Sequence, residues 1–145
     1  MAQKNRLEGG LINRKNPWAF EFNGQPMHGF EGDTLASALL ANDVRLVGRS
    51  FKYHRPRGMI SAGSEEPNAI VELRTGSRKE PNSRATTTEL YDGLVAHPQN
   101  CWPSLNFDFL GINDLLAPFL TAGFYYKTFM WPSVFWEKVY EPIIR

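Results

Sequence analysis

Large apolar side chains fall at every second position in Trp18-Ala19-Phe20-Glu21-Phe22, the period of a half-buried strand. Asn23-Gly24 follows, the strongest short-range hairpin signal, and Pro26 to Phe30 predicts the return strand. The period then lengthens to that of a helix. Leu35, Ala38 and Leu39 share one stripe, Asp33 or Thr34 can cap its start, and Asn42 offers a left-handed stop. Val44 to Val47 reads as a short, mostly apolar extension. Ile70 to Arg74 predicts a further strand, Thr86 to Leu90 is β-branched and strand-like, Asp92-Gly93 predicts a turn, and Leu94 to Ala96 a last short strand. Thr75 to Arg84 reads as a surface connection rich in turn formers. The order predicts an α+β domain over residues 16–100, a small mixed sheet with one helix packed across it. Residues 1–15, mostly polar, are expected to form a flexible terminus.

After Pro98 the character of the chain changes. Aromatic residues make up 13% of the sequence, and they crowd into its last part, from Trp102 through Phe124, Tyr125, Trp131 and Trp136 to Tyr140. That density is too high for a solvated linker, and Pro103, Pro118, Pro132 and Pro142 interrupt it too often for a helical bundle. Residues 101–145 are therefore expected to be an aromatic, partly helical extension, with short helices near 113–118 and from Pro132. It is expected to bury itself on another domain or subunit rather than on its own core. Ile143-Ile144 keeps the pattern apolar to the last residues, and a longer subunit is expected.

Bulk composition removes several function classes. The 145 residues suit one domain with an appended segment. A net charge of +1 names no partner. The single cysteine, Cys101, excludes an internal disulfide framework and a cysteine-built metal site. No apolar run reaches the roughly 18 residues of a membrane helix, and the first ten residues hold no apolar signal segment, so a cytoplasmic protein without membrane contact is expected.

Little in the residues points to catalysis. Ser61 to Ala69 is a loop of small and polar residues feeding the Ile70 strand. It could form an amide nest for phosphate, but Glu65 and Glu66 oppose an anion there. The most chemically pointed segment is basic: Arg45, Arg49, Lys52, His54, Arg55 and Arg57, interleaved with Phe51 and Tyr53. Three roles are open for it. It can form solvated or interdomain salt bridges. It can hold a cofactor's phosphates, for which Lys52, Arg55 and Arg57 are the candidates. Or it can bind single-stranded nucleic acid by charge and stacking, a role that the low net charge weakens. His28, His54 and His97 lack metal-site spacing and read as surface or packing residues. Cys101 has only His97 near it as a base, and Asp33, Asp43 and Asp114 read as caps and turn formers. No catalytic residue is expected.

Three longer stretches carry a resemblance. GFEGDTLASALLANDVRLVGRSFKYHRPRG, AIVELRTGSRKEPNSRATTTELYDGLVAHPQNCWPSLNFD and AGFYYKTFMWPSVFWEKVYEPIIR, with FKYHRPRG and FYYKTFMWP as their most specific parts, resemble the N-terminal region of the alpha subunit of heterotetrameric sarcosine oxidase. The likeness runs from about residue 6 onward. That region is similar to β-grasp [2Fe–2S] ferredoxins, and the resemblance implies a β-grasp fold. Cluster-binding relatives carry a C-x4-C-x2-C run and a fourth cysteine further on. Laid on this chain, the pattern falls on Ser61, Glu66, Ala69 and Thr86, none of them cysteine. The resemblance therefore implies a cluster loop that has lost its cluster, with no metal site. It further implies an enzyme that oxidatively demethylates sarcosine to glycine, releasing hydrogen peroxide with formaldehyde or methylene-tetrahydrofolate. NAD, FMN, FAD and tetrahydrofolate would belong to the complex and none to this chain, which lacks G-x-G-x-x-G. The implied partners are the remaining alpha-subunit domains and the beta, gamma and delta subunits, with a structural role for this domain. The alternative is an independent nucleotide- or single-strand-binding module using loop 45–57. A free electron-transfer ferredoxin is opposed by the missing cysteines.

Overall fold

The computed structural model describes residues 3–118 together with Val134 and Lys138. The chain divides into two compact units, Met1–Gly111 and Ile112–Arg145. In the first, β1 (Asn13–Phe22) and β2 (Gln25–Glu31) form the expected hairpin, with Phe22 opposite Gln25. Asn23 and Gly24 turn between them at φ 53° and 74°, the positive values that a two-residue hairpin turn of this hand requires. Helix α1 (Leu35–Ala41) follows, then a two-residue ribbon of β3 (Gly48–Arg49) and β4 (Pro56–Arg57). The strands β5 (Ile70–Leu73), β6 (Glu80–Arg84) and β7 (Leu94–Pro98) complete the sheet. Its order is β2-β1-β7-β5-β6. β1 and β7 run parallel and the other pairs antiparallel, so the sheet is mixed. This is the α+β architecture that the residue pattern predicts, and it is consistent with the β-grasp fold that the resemblance implies.

Burial follows the strand period. Phe20 and Phe22 are buried, and so are Val71, Leu73, Leu94 and Ala96. Leu35, Ala38 and Leu39 of α1 close over them with no exposed surface. Thr34 is the cap: its Oγ1 accepts from Ser37 N at 3.2 Å, while Ser37 Oγ accepts from Thr34 N at 3.0 Å. Asp33 plays another part. Its buried carboxylate accepts from Arg6 Nη1 and Nη2 at 3.1 and 2.7 Å, so Arg6, in the segment read as a flexible terminus, is tied to the helix start.

Three sequence readings are corrected. Asn42 is not left-handed (φ −88°); Asp43 is, at φ 63°. The Asn42 side chain donates to His28 O and Ala38 O at 2.8 and 2.7 Å, which holds its backbone near the helix and moves the reversal one residue on. Thr75 to Arg84 is more than a connection, because β6 pairs with β5 at the sheet edge. An edge strand tolerates Pro81, and Asn82, at φ 60°, lies where the β5–β6 register shifts. Thr86 to Leu90 is a turn rather than a strand, with Thr87 N and Thr88 N both donating to Arg84 O at 3.1 Å. The adjoining carbonyls of Ala85 and Thr88 take Ala36 N and Leu35 N, first-turn amides of α1 that have no partner within the helix.

The helix near 113–118 is likewise a 3₁₀ turn, Phe109–Asp114, followed by i to i+3 bonds at Leu115, Leu116 and Ala117. Of the helix expected from Pro132 only Val134 and Lys138, both helical, are among the described residues, and most of the aromatic cluster lies outside them. Among the described residues, no helix is long and apolar enough to cross a membrane.

Gly29 of β2 packs against α1 and Leu90 with no room for a side chain. A Cβ there would stand 2.3 Å from Leu90 Cδ2 and 3.1 Å from Ala38 Cβ. Leu90 is itself buried, so it has little room to yield. Gly29→Ala is expected to cost about 1–2 kcal/mol through overpacking, read from the urea midpoint. An unchanged midpoint would show that the layer has slack.

Candidate functional site

The loop between β4 and β5 is anchored at both ends. Gly58 packs against the Arg45 carbonyl so closely that a Cβ would lie 2.4 Å from its oxygen. At the other end Ala69 O accepts from Ala85 N at 2.8 Å. Between these anchors the chain folds around one side chain, Glu66, which has no exposed surface. Its Oε2 accepts from Ile60 N at 2.7 Å, Ser61 N at 2.6 Å and Ser61 Oγ at 3.2 Å. Its Oε1 accepts from Asn68 N at 2.7 Å and Ala69 N at 3.3 Å. Burial alone would push this carboxyl's pKa up. The amides of Ser61, Asn68, Ile60 and Ala69 stabilise the charge and outweigh it, setting the pKa at about 2.

The four positions of the cluster pattern are thus brought to one place. Ser61, Glu66 and Ala69 meet at the Glu66 carboxylate. Thr86 ties in from across the loop, its Oγ1 donating to Gly63 O at 2.7 Å, and Arg84 Nε donates to Glu66 O at 2.9 Å. Together they offer two hydroxyls, a methyl and a carboxylate that is already fully engaged. A [2Fe–2S] cluster needs soft thiolates, and these residues do not fit it. Among the described residues no group of three His, Cys, Asp or Glu is placed to hold a metal ion. In the sequence Glu66 opposes an anion in this loop; in the structure Glu66 is itself the anion. Its place at the second position of the pattern was the only signal of this.

The basic segment is largely consumed by the fold. Lys52 Nζ and Arg55 Cζ lie 4.8 and 4.9 Å from the centre of the Tyr53 ring. Arg57 is directed elsewhere: its Nη1 donates to Asn68 Oδ1, and it lines an open groove of about 380 Å³ with Arg49, Asn68 and Gln99. The three candidate phosphate ligands therefore do not converge on one point. Arg45 forms an exposed pair with Asp43.

Arg49 and His54 belong to a buried cluster centred on Asp108, which the sequence reading did not single out. His54 Nδ1 donates to Asp108 Oδ2 at 2.8 Å, and Arg49 Nε lies 3.6 Å from the same oxygen. Arg49 also donates to Leu105 O at 3.0 Å and His54 O at 2.9 Å. Trp102 N and Leu110 N donate to Asp108 Oδ1 at 2.9 and 3.3 Å. Burial raises the Asp108 pKa, but the Trp102 amide and His54 pull it below the usual aspartate range. Cys101 is half-buried nearby, and burial followed by the Asp108 charge pushes its thiol up. Alkylation by iodoacetamide at pH 8 is expected to be slower than for an unhindered cysteine and to quicken as the pH rises. Rapid labelling at neutral pH would contradict this environment.

The family model for the 2Fe-2S iron-sulfur cluster binding domain matches residues 15–101. The alpha subunit of sarcosine oxidase from Rhizobium meliloti (strain 1021) is 65% identical over 136 residues, covering 94% of this chain. The corresponding subunit from Corynebacterium sp. (strain U-96) is 43% identical over 91 residues, covering 61% of this chain. The chain spans 14% and 9% of the length of these two relatives. The crystal structure of L-proline dehydrogenase from P. horikoshii aligns with a TM-score of 0.48 at 23% identity, over 66% of this chain and 18% of that one. The match across residues 15–101 takes in the sheet from the third residue of β1 onward and the Glu66 loop, and the chain belongs to the 2Fe-2S iron-sulfur cluster binding domain family.

Proposed function

We propose that this chain is the cluster-free, ferredoxin-like N-terminal domain of a sarcosine oxidase alpha subunit. The observation that carries the reading is the 65% identity to such a subunit across 94% of the chain. The enzyme would oxidatively demethylate sarcosine to glycine in the cytoplasm. Its NAD, FMN, FAD and tetrahydrofolate would be held elsewhere in the flavoprotein complex. Within that heterotetramer residues 16–100 serve a structural role, and no step of the chemistry is assigned to them. The loop that would carry electrons in a cluster-binding relative is filled by a carboxylate with no redox chemistry.

Lys52, Arg55 and Arg57 then contact neighbouring domains, and residues 101–145 dock on the rest of the alpha subunit or on the beta, gamma or delta subunit. Trp102, Phe107 and Phe109 support a docking role, since they pack on one another at 5.8 and 5.0 Å while each stays more than half exposed.

The test is made on the assembled oxidase containing this chain. Sarcosine-dependent peroxide release is expected, together with iron and acid-labile sulfide far below one cluster per alpha subunit. Absence of peroxide release would overturn the assigned reaction. Iron and sulfide near one cluster per alpha subunit would overturn the cluster-free role.

A further inference from the structure

We propose that the loop between β4 and β5 is an anion nest occupied from within: the Glu66 carboxylate stands in for the anionic cluster, and with that side chain cut back the nest takes up a free monocarboxylate. The inference rests on the cluster-free reading above.

A buried carboxylate is costly to desolvate, and the hydrogen bonds to Glu66 come from backbone amides and one hydroxyl rather than from a cation. Its retention follows from the needs of those donors. The amides of Ile60, Ser61, Asn68 and Ala69 all point inward at one spot, and without Glu66 each would lose its acceptor. Converging amides of this kind bind phosphates and iron–sulfur centres alike, because both are anions. Four thiolates and two sulfides around two ferric ions leave a net negative charge, so the same donors suit either occupant. Glu66 supplies the charge without a metal.

The donor pattern also sets the chemical class of a replacement. One oxygen takes Ile60 N, Ser61 N and Ser61 Oγ, and the other takes Asn68 N and Ala69 N. That geometry fits a planar anion with two oxygens. A phosphate would bring further oxygens for which this shell has no donor, and a neutral amide would turn N–H groups towards N–H groups. Formate is the smallest ion of the right shape and charge.

The experiment uses Glu66→Ala in the full-length subunit within the assembled oxidase and follows amide hydrogen exchange at Ile60, Ser61, Asn68 and Ala69. In the wild type these amides are expected to be protected. In the variant they should exchange at least roughly tenfold faster. Formate should slow them again in a saturable way, while formamide, or sodium chloride at equal ionic strength, should not. Undiminished protection in the variant without formate, no response to formate, or equal rescue by formamide would each overturn the proposal. Should Glu66→Ala fail to assemble, Glu66→Gln keeps the shape and removes the charge. Faster exchange at the same amides is expected, and wild-type protection would overturn the proposal. Iron analysis of the wild-type complex is untouched by any of these outcomes, so the two readings fail separately.

Discussion

Replacing Asp108 with alanine is expected to cost about 3–5 kcal/mol of stability, the range seen when one member of a buried ionic group is removed. Its side chain is wholly buried, and it accepts from Trp102 N, Leu110 N and His54 Nδ1 while Arg49 stands 3.6 Å away. Without it, two amides lose their acceptor and the Arg49 guanidinium, 15% exposed, loses its counter-charge. The effect spreads, because Arg49 also fixes the chain at Leu105 and His54. Asp108→Asn keeps the shape and one acceptor, so a smaller loss of about 2 kcal/mol is expected. Since the folded pKa is lowered, the Asp108 contribution is complete above its ordinary value of 3.8 and fades as the pH falls further. Urea unfolding of the two variants at pH 7 measures both losses. A cost under about 1 kcal/mol for alanine would mean that solvent or a neighbouring group takes over the cluster.

What could be read from the sequence divides along a physical line. Features governed by local periodicity were legible: the alternation Trp18 to Phe22, the Asn23-Gly24 turn, the Thr34 start and the Leu35–Leu39 stripe all appear as expected. Features governed by pairing across space were not. β6 has no apolar alternation and contains Pro81, so only its partner β5 makes it a strand. Asp43, rather than Asn42, turns left-handed because Asn42 is held by His28, fourteen residues away. The same holds for the site. The resemblance picked out Ser61, Glu66, Ala69 and Thr86, and the fold does gather them. What they form is invisible in one dimension, since most of the partners of Glu66 are backbone amides, which every residue but proline carries. The basic loop misled for a related reason. Its charges look available in the sequence, yet Arg49 and His54 point inward to Asp108, which lies 54 residues beyond His54.

Acid should release the Glu66 loop, and the sign and window follow from its environment. In the folded chain the carboxyl titrates at about 2, against an ordinary value of 4.5. A depressed folded pKa means that the unfolded chain binds the proton more readily. The stabilisation is therefore fully present above pH 4.5 and is lost progressively as the pH falls through about 2. Asp108 also loses its charge-dependent contacts in acid, so the wild-type curve alone does not isolate the effect. The comparison with Glu66→Gln does. At pH 7 the variant is expected to be less stable by about 3 kcal/mol, because it exchanges charge-assisted hydrogen bonds for an amide that must turn N–H groups towards donors. Once Glu66 in the wild type is protonated, it too must turn a hydroxyl towards the nest, and the two proteins become alike. The gap between their urea midpoints should therefore be constant from pH 7 to 5 and close between pH 4.5 and 2. A gap that persists unchanged down to pH 2 would mean that the shape of the side chain, rather than its charge, holds the loop. Glu66 would then be a packing residue, with no electrostatic debt to the amides around it.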